Sequence, residues 1–269
     1  MRSTIRARAT LFVLLGWALA NVFLYHSLKW FGLDELSSRC PSHLTQSLFK
    51  PSVIRAARLS GDEDSVLRFR LMSPSNRAST QRQPLVIFLH GAGQRGSDNE
   101  QQLFGLPEQL AKAEWRQRFA CFVLAPQCPL NTSWQTYNED LVGLVRDLIR
   151  RHPIDPGRVY LTGLSMGGYG SWELAIKEPD LFAAIVPICG GGRVTSAHRL
   201  INTPIWAIHG DADETVPVEQ SREMIHAIRQ AGGQPKYTEL KNVGHDSWSQ
   251  AYADPNGVLK WMFEQKRGD

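Results

Sequence analysis

Ser165 stands in Gly163-Leu164-Ser165-Met166-Gly167, directly after the apolar run Val159-Tyr160-Leu161. A glycine on each side of a serine at this spacing lets a chain turn sharply from strand into helix and lift the hydroxyl out of a sheet. A serine hydroxyl is a weak nucleophile near neutrality. It needs an imidazole to take its proton as it attacks a carbonyl, and a carboxylate to fix the tautomer of that imidazole. His245, in Gly244-His245-Asp246, is the base that the pattern offers. Asp211 and Asp213, both in the stretch from His209 to Asp213, compete for the carboxylate role, while Asp246, next to the base, reads as a solvated loop residue.

Attack on a carbonyl also needs donors for the alkoxide that develops, commonly the amide after the nucleophile and another from the loop after the first parallel strand. Met166 and Ala92 fill those positions, the latter in His90-Gly91-Ala92-Gly93. His90 and His209 each precede a glycine at a strand end; one base completes the set, so their expected role is structural hydrogen bonding. Gln94 adjoins the oxyanion loop and reads equally as a substrate contact or a surface residue.

These residues must be held by a scaffold, and the scaffold is legible. Residues 53–59 and 65–72 flank Gly61-Asp62-Glu63-Asp64, and Leu67, Phe69 and Leu71 alternate with Arg68 and Arg70, which predicts an antiparallel hairpin with one face buried. Beyond residue 84 the pattern becomes short continuous apolar runs at 85–89, 121–125, 159–161, 183–189 and 205–208, separated by helical segments. Such runs predict a mostly parallel sheet covered on both faces. Residues 139–151 carry Leu141, Leu144, Val145 and Leu148 on one stripe, and residues 216–231 carry Met224, Ile225 and Ile228 before Gly232-Gly233. The chemistry-bearing residues fall just after apolar runs, where open parallel sheets place their ligands.

At this point a family resemblance emerges. Residues 209–217, ending in Thr215-Val216-Pro217, resemble the acid-bearing segment of carboxylesterases, dienelactone hydrolases and feruloyl-esterase-like enzymes of the α/β-hydrolase superfamily. Gly163 to Gly168 is similar to their nucleophile elbow and to that of prolyl-oligopeptidase-type peptidases, and Leu89 to Gly93 is similar to their oxyanion loop. The resemblance spans about residues 51–265. It implies the α/β-hydrolase fold, Asp213 rather than Asp211 as the acid, and hydrolysis of carboxylic esters through an acyl-enzyme. It also implies Trp134, after Pro126-Gln127-Cys128-Pro129, as a wall of the substrate pocket or else a packing residue. The alternatives are a serine peptidase of prolyl-oligopeptidase type and a non-catalytic binding protein on the same scaffold. Between Cys189 and residue 205 there is no room for a large cap domain, and no cofactor or metal is expected.

The chain has 269 residues, room for one catalytic domain over 51–269 after a connector at 21–50. Lys and Arg number 30 against 26 Asp and Glu, a net charge of +4. Arg2, Arg6 and Arg8 precede an apolar stretch from Leu11 to Trp17 and the small residues Ala18 and Ala20, the three parts of a secretory signal. Cleavage after Ala20 is expected, the alternative being an uncleaved membrane anchor to about residue 31. Either places the catalytic domain outside the cytoplasm, secreted or periplasmic. Setting those arginines aside leaves a near-neutral body, which argues against nucleic acid as a partner and leaves an ester substrate, small or polymer-linked. The four cysteines, Cys40, Cys121, Cys128 and Cys189, lack the paired spacing of a zinc site.

Overall fold

The computed structural model describes residues 41–55, 66–76 and 81–268. The expected signal or anchor segment, the expected hairpin turn at Gly61 to Asp64 and Cys40 lie outside the described residues. Helix α1 (His43–Leu48), capped by Ser42, whose Oγ accepts from the Thr45 amide, leads into β1 (Phe49–Arg55). Strand β1 pairs antiparallel with β2 (Val66–Met72), Phe49 opposite Met72 and Arg55 opposite Val66. Helix α1 and the fully buried Phe49 stand ahead of the expected domain start near Pro51. The alternation in β2 is also less regular than expected: Arg70 is buried along with Leu67, Phe69 and Met72. Its Nε donates to Asn99 O at 2.6 Å and its Nη1 to Phe49 O at 3.0 Å, so the guanidinium satisfies carbonyls of the loop and strand that cover it.

The parallel strands follow as β3 (Gln83–Leu89), β4 (Phe122–Gln127), β5 (Ile154–Leu164), β6 (Ala184–Ile188), β7 (Trp206–Gly210) and β8 (Lys236–Leu240). They complete an eight-stranded sheet in the order β1-β2-β4-β3-β5-β6-β7-β8. The β2–β4 pairing is antiparallel and every pairing from β4 to β8 is parallel.

Helices cover both faces, as the continuous apolar strands require. On β3, Leu85, Ile87 and Leu89 join one core cluster and Val86 and Phe88 the other, all fully buried. Short helices α2 (Leu106–Ala111) and α3 (Ala113–Arg118) pack Leu106, Leu110 and Trp115 on the second face. Helix α4 (Asn138–Arg151) buries the stripe Leu141, Leu144, Val145 and Leu148 on the first. Helix α5 (Met166–Lys177) follows β5 and buries Trp172, Leu174 and Ala175. Helix α6 (Glu219–Gln230) sets Met224, Ile225 and Ile228 into that core, and α7 (Trp248–Ala253) and α8 (Val258–Glu264) close the second face with Tyr252, Leu259 and Met262.

Helix α6 begins three residues later than the sequence pattern suggests. The Val216 amide is bound by a side chain of the loop, as described below, and Pro217 follows it. Between β6 and β7 there is a single 3-10 segment, Val194–Leu200, and no cap domain. Cys121, Cys128 and Cys189 are free and buried. Among the described residues no helix is long and apolar enough to cross a membrane.

Candidate active site

Strand β5 delivers Ser165 at the carboxyl edge of the sheet. Ser165 has φ 53° and ψ −117°, a region that a side chain other than glycine seldom adopts and that costs about 1–3 kcal/mol. The turn is fixed by close approach of backbones. A Cβ on Gly167 would lie 1.8 Å from Leu89 O, and one on Gly163 would lie 2.4 Å from Gly167 O. The Ser165 amide donates to Ile188 O at 3.0 Å, which ties the elbow to the end of β6.

Ser165 Oγ lies 2.9 Å from His245 Nε2, and His245 Nδ1 lies 2.7 Å from Asp213 Oδ2. Asp213 is buried, and the amides of Thr215 and Val216 each donate to its Oδ1 at 2.9 Å. Burial alone would raise this carboxyl. The hydrogen bonds from His209, His245 and the Val216 amide outweigh it and hold Asp213 well below the usual carboxylate range, so it is ionised and acts as an acceptor. The imidazole of His245 packs edge-on against Trp248 at 5.3 Å between centroids. A serine hydroxyl, an imidazole and a carboxylate in unbroken contact can move a proton off Oγ as it attacks a carbonyl carbon.

The loop after β3 runs beside this serine. A Cβ built on Gly91 would lie 2.8 Å from Leu164 Cδ1 and 3.6 Å from Ser165 Cβ. His90 is buried beneath the loop. Its Nε2 accepts from the Cys128 amide at 2.9 Å, so its Nδ1 carries the proton and donates to Gly91 O at 2.6 Å. Burial, helped by Arg95, lowers His90 to about 4, which keeps the ring neutral. Because the peptide is trans and planar, holding Gly91 O toward His90 turns the Ala92 N–H the opposite way. The Met166 amide occupies the first turn of α5, where helix N–H groups lack intrahelical acceptors. These two amides are the candidate oxyanion donors.

Of the residues singled out from sequence, Ser165, His245 and Asp213 come together and Asp211 does not. Asp211 accepts from the Asn242 amide at 2.6 Å, and Asp246 accepts from the amide and hydroxyl of Ser249 at the start of α7. Gln94 is buried beside Gly91, its Oε1 3.5 Å from the position of a Gly91 Cβ, so the surface reading does not apply. Of the two readings of Trp134, the packing one fits. It is fully buried, its Nε1 donates to His90 O at 3.0 Å and its ring meets the His90 ring edge-on, so it supports the loop after β3 from below rather than walling a pocket.

Two features were not legible beforehand. Gln127 braces the loop beyond Gln94: its Oε1 accepts from the Asn99 amide at 2.7 Å and its Nε2 donates to Gln94 O and Asp98 Oδ1. Cys189 Sγ lies 3.3 Å from the Ser165 amide. Cys189, Asp213 and His245 offer ligand atoms within 4.8 Å of one another, but the Nδ1–H of His245 is engaged by Asp213, and burial raises the Cys189 thiol. That group therefore reads as part of the hydrogen-bonded chain rather than a metal site.

A thermostable esterase of known crystal structure superposes with a TM-score of 0.76 at 35% identity, covering 84% of this chain and 65% of that one. The model of the phospholipase/carboxylesterase family matches residues 131–260, the stretch that contains Ser165, Asp213 and His245. This chain has the α/β-hydrolase fold. It is also 28% identical over 209 residues to a bifunctional acetylxylan esterase/xylanase of Neocallimastix patriciarum, covering 73% of this chain and 30% of that protein. A probable inactive carboxylesterase of Oryza sativa subsp. japonica is 24% identical over 215 residues, covering 68% of this chain and 86% of that protein. The chain thus spans less than a third of the acetylxylan esterase/xylanase and 65% of the thermostable esterase.

Proposed function

We propose that this α/β-hydrolase is an exported serine esterase that cleaves carboxylic esters through an acyl-enzyme. The observation that carries this reading is the unbroken chain from Ser165 Oγ through His245 to Asp213, at 2.9 and 2.7 Å, on a strained strand-to-helix turn. Ser165 Oγ attacks the ester carbonyl while His245 Nε2 takes its proton, and the Ala92 and Met166 amides receive the oxyanion. As the tetrahedral intermediate collapses, His245 hands the proton to the departing alcohol. Water, deprotonated in turn by His245, then attacks the acyl-serine and releases the acid. Asp213, held ionised by its four donors, stabilises the imidazolium in both halves.

Similarity to an acetylxylan esterase/xylanase and to a thermostable esterase supports ester over peptide substrates, and short acyl groups, free or on a polysaccharide, as the first to try. The basic and apolar head of the chain supports export. Purified protein should hydrolyse p-nitrophenyl acetate and butyrate and leave peptide p-nitroanilides uncut. Ser165→Ala should lower kcat on the esters by about a thousandfold or more. Faster turnover of the anilides would favour a peptidase. Wild-type turnover no higher than that of Ser165→Ala would remove the reading.

A further inference from the structure

Asp213 serves two imidazoles. His209, the penultimate residue of β7, is fully buried, with its Nε2 3.2 Å from Asp213 Oδ2 and 3.0 Å from Val216 O. Both neighbours are acceptors, since the carboxylate is ionised, so Nε2 must carry a hydrogen. On the other side of the ring Nδ1 lies 2.8 Å from Ser221 Oγ of α6, and that hydroxyl lies 2.9 Å from Gly190 O beyond β6. Ser221 has one proton for two neighbours. If it points at Nδ1 the ring is neutral; if it points at Gly190 O, Nδ1 must donate and the ring is charged. In both cases the hydrogen on Nε2 is shared between Asp213 Oδ2 and Val216 O, so the geometry does not depend on the charge state.

We propose, resting on the serine-esterase reading above, that His209 is a positioning residue for the reaction, holding the acid Asp213 against the base His245. Its N–H fills the remaining acceptor site of the carboxylate, two being taken by backbone amides and one by His245. Through Val216 O and Ser221 it ties the acid loop to α6 and to the segment after β6. Donation from His209 also draws charge from Oδ2, the oxygen that binds His245. Removing that donor leaves more charge for His245, which holds its own proton more tightly, so the acid limb of the rate profile moves to higher pH. The loosened carboxylate at the same time lowers kcat. The titratable and charged groups around His209 are Asp213 and His245, Cys189 at the end of β6, and Glu239, its partner on β8, which is bound by Arg222 of α6 and Tyr237.

The test uses the full chain and three variants: His209→Leu, which removes the donor; His209→Gln, whose amide nitrogen can reach the place of Nε2; and Ser221→Ala, which removes the support of Nδ1. Sites are counted with a fluorophosphonate probe, and p-nitrophenyl butyrate hydrolysis is followed from about pH 5 to about pH 9. His209→Leu should lower kcat about tenfold or more, with KM within about twofold, and shift the acid limb upward by about half a pH unit. His209→Gln should recover most of the lost kcat, and Ser221→Ala should fall between. Unchanged kcat and acid limb in His209→Leu, or equal losses in the Leu and Gln variants, would overturn the proposal. Should the Leu variant not fold, imidazole proton NMR of the wild type decides independently of activity: a protected His209 Nε2–H signal is expected, and its absence overturns the proposal. A wild type that neither labels nor turns over esters removes the parent reading, while the NMR signal still reports whether His209 holds Asp213.

Discussion

His90 and Asp213 are both displaced from their ordinary protonation ranges, and the two displacements act on the fold in the same direction. His90 falls from 6.5 to about 4 in the folded protein. Between those values the unfolded chain binds a proton that the folded chain refuses, so stability is fully present above the ordinary imidazole value and is lost as pH falls. From about pH 7.5 to about pH 5 this costs about 2 kcal/mol. Asp213, depressed, adds stability above the ordinary carboxylate range that is lost at still lower pH. His90→Gln should therefore lose about 2 kcal/mol less than wild type between urea titrations at those two pH values; an equal loss would mean that His90 does not resist protonation. That Ser165, Asp213 and His245 come together was legible, because each stands just after an apolar run, in the order that a nucleophile, acid and base on such a sheet would follow. Structural hydrogen bonding by His209 and packing by Trp134 were among the expectations, but their partners, and the role of Gln127, were not legible, because each depends on which carbonyl or carboxylate the tertiary fold brings within about 3 Å, and no local pattern encodes that.

At the scale of elements, the strand-to-helix turn at Ser165 leaves its backbone little room to move. Gly167→Ala would force a Cβ against Leu89 O, and neither backbone can retreat without breaking the β3–β5 pairing. It should cost about 3 kcal/mol or more in urea unfolding, or prevent soluble expression. Gly143, exposed on α4 with nothing within 4 Å of its Cβ position, provides the contrast: Gly143→Ala should stabilise by about 0.5–1 kcal/mol. A tolerated Gly167→Ala would contradict the close-approach account. The parallel strands and α4 were readable from apolar run length and three-and-four spacing. Helix α1 and the early start of β1 were not, because residues 41–50 carry no period and Phe49 is buried in a core cluster drawn from segments far along the chain. Arg70 looked exposed by alternation for the same reason: its carbonyl partners come from distant segments.

For the whole molecule, the sheet edge that bears Ser165 has no cap domain folded over it from the segment between β6 and β7. Hydrolysis should therefore follow simple saturation with soluble short-chain esters and show no jump in rate as the substrate begins to form an emulsion. A severalfold jump at that point would indicate a covering element. In the proposed reaction Ser165 is the nucleophile, activated by His245 and Asp213. The most direct test is to treat the full chain with a fluorophosphonate and locate the adduct by tandem mass spectrometry. A single adduct on Ser165, abolished in Ser165→Ala and strongly slowed in His245→Ala, is the predicted result. An unlabelled protein, or an adduct on another residue with Ser165 unmodified, would contradict it.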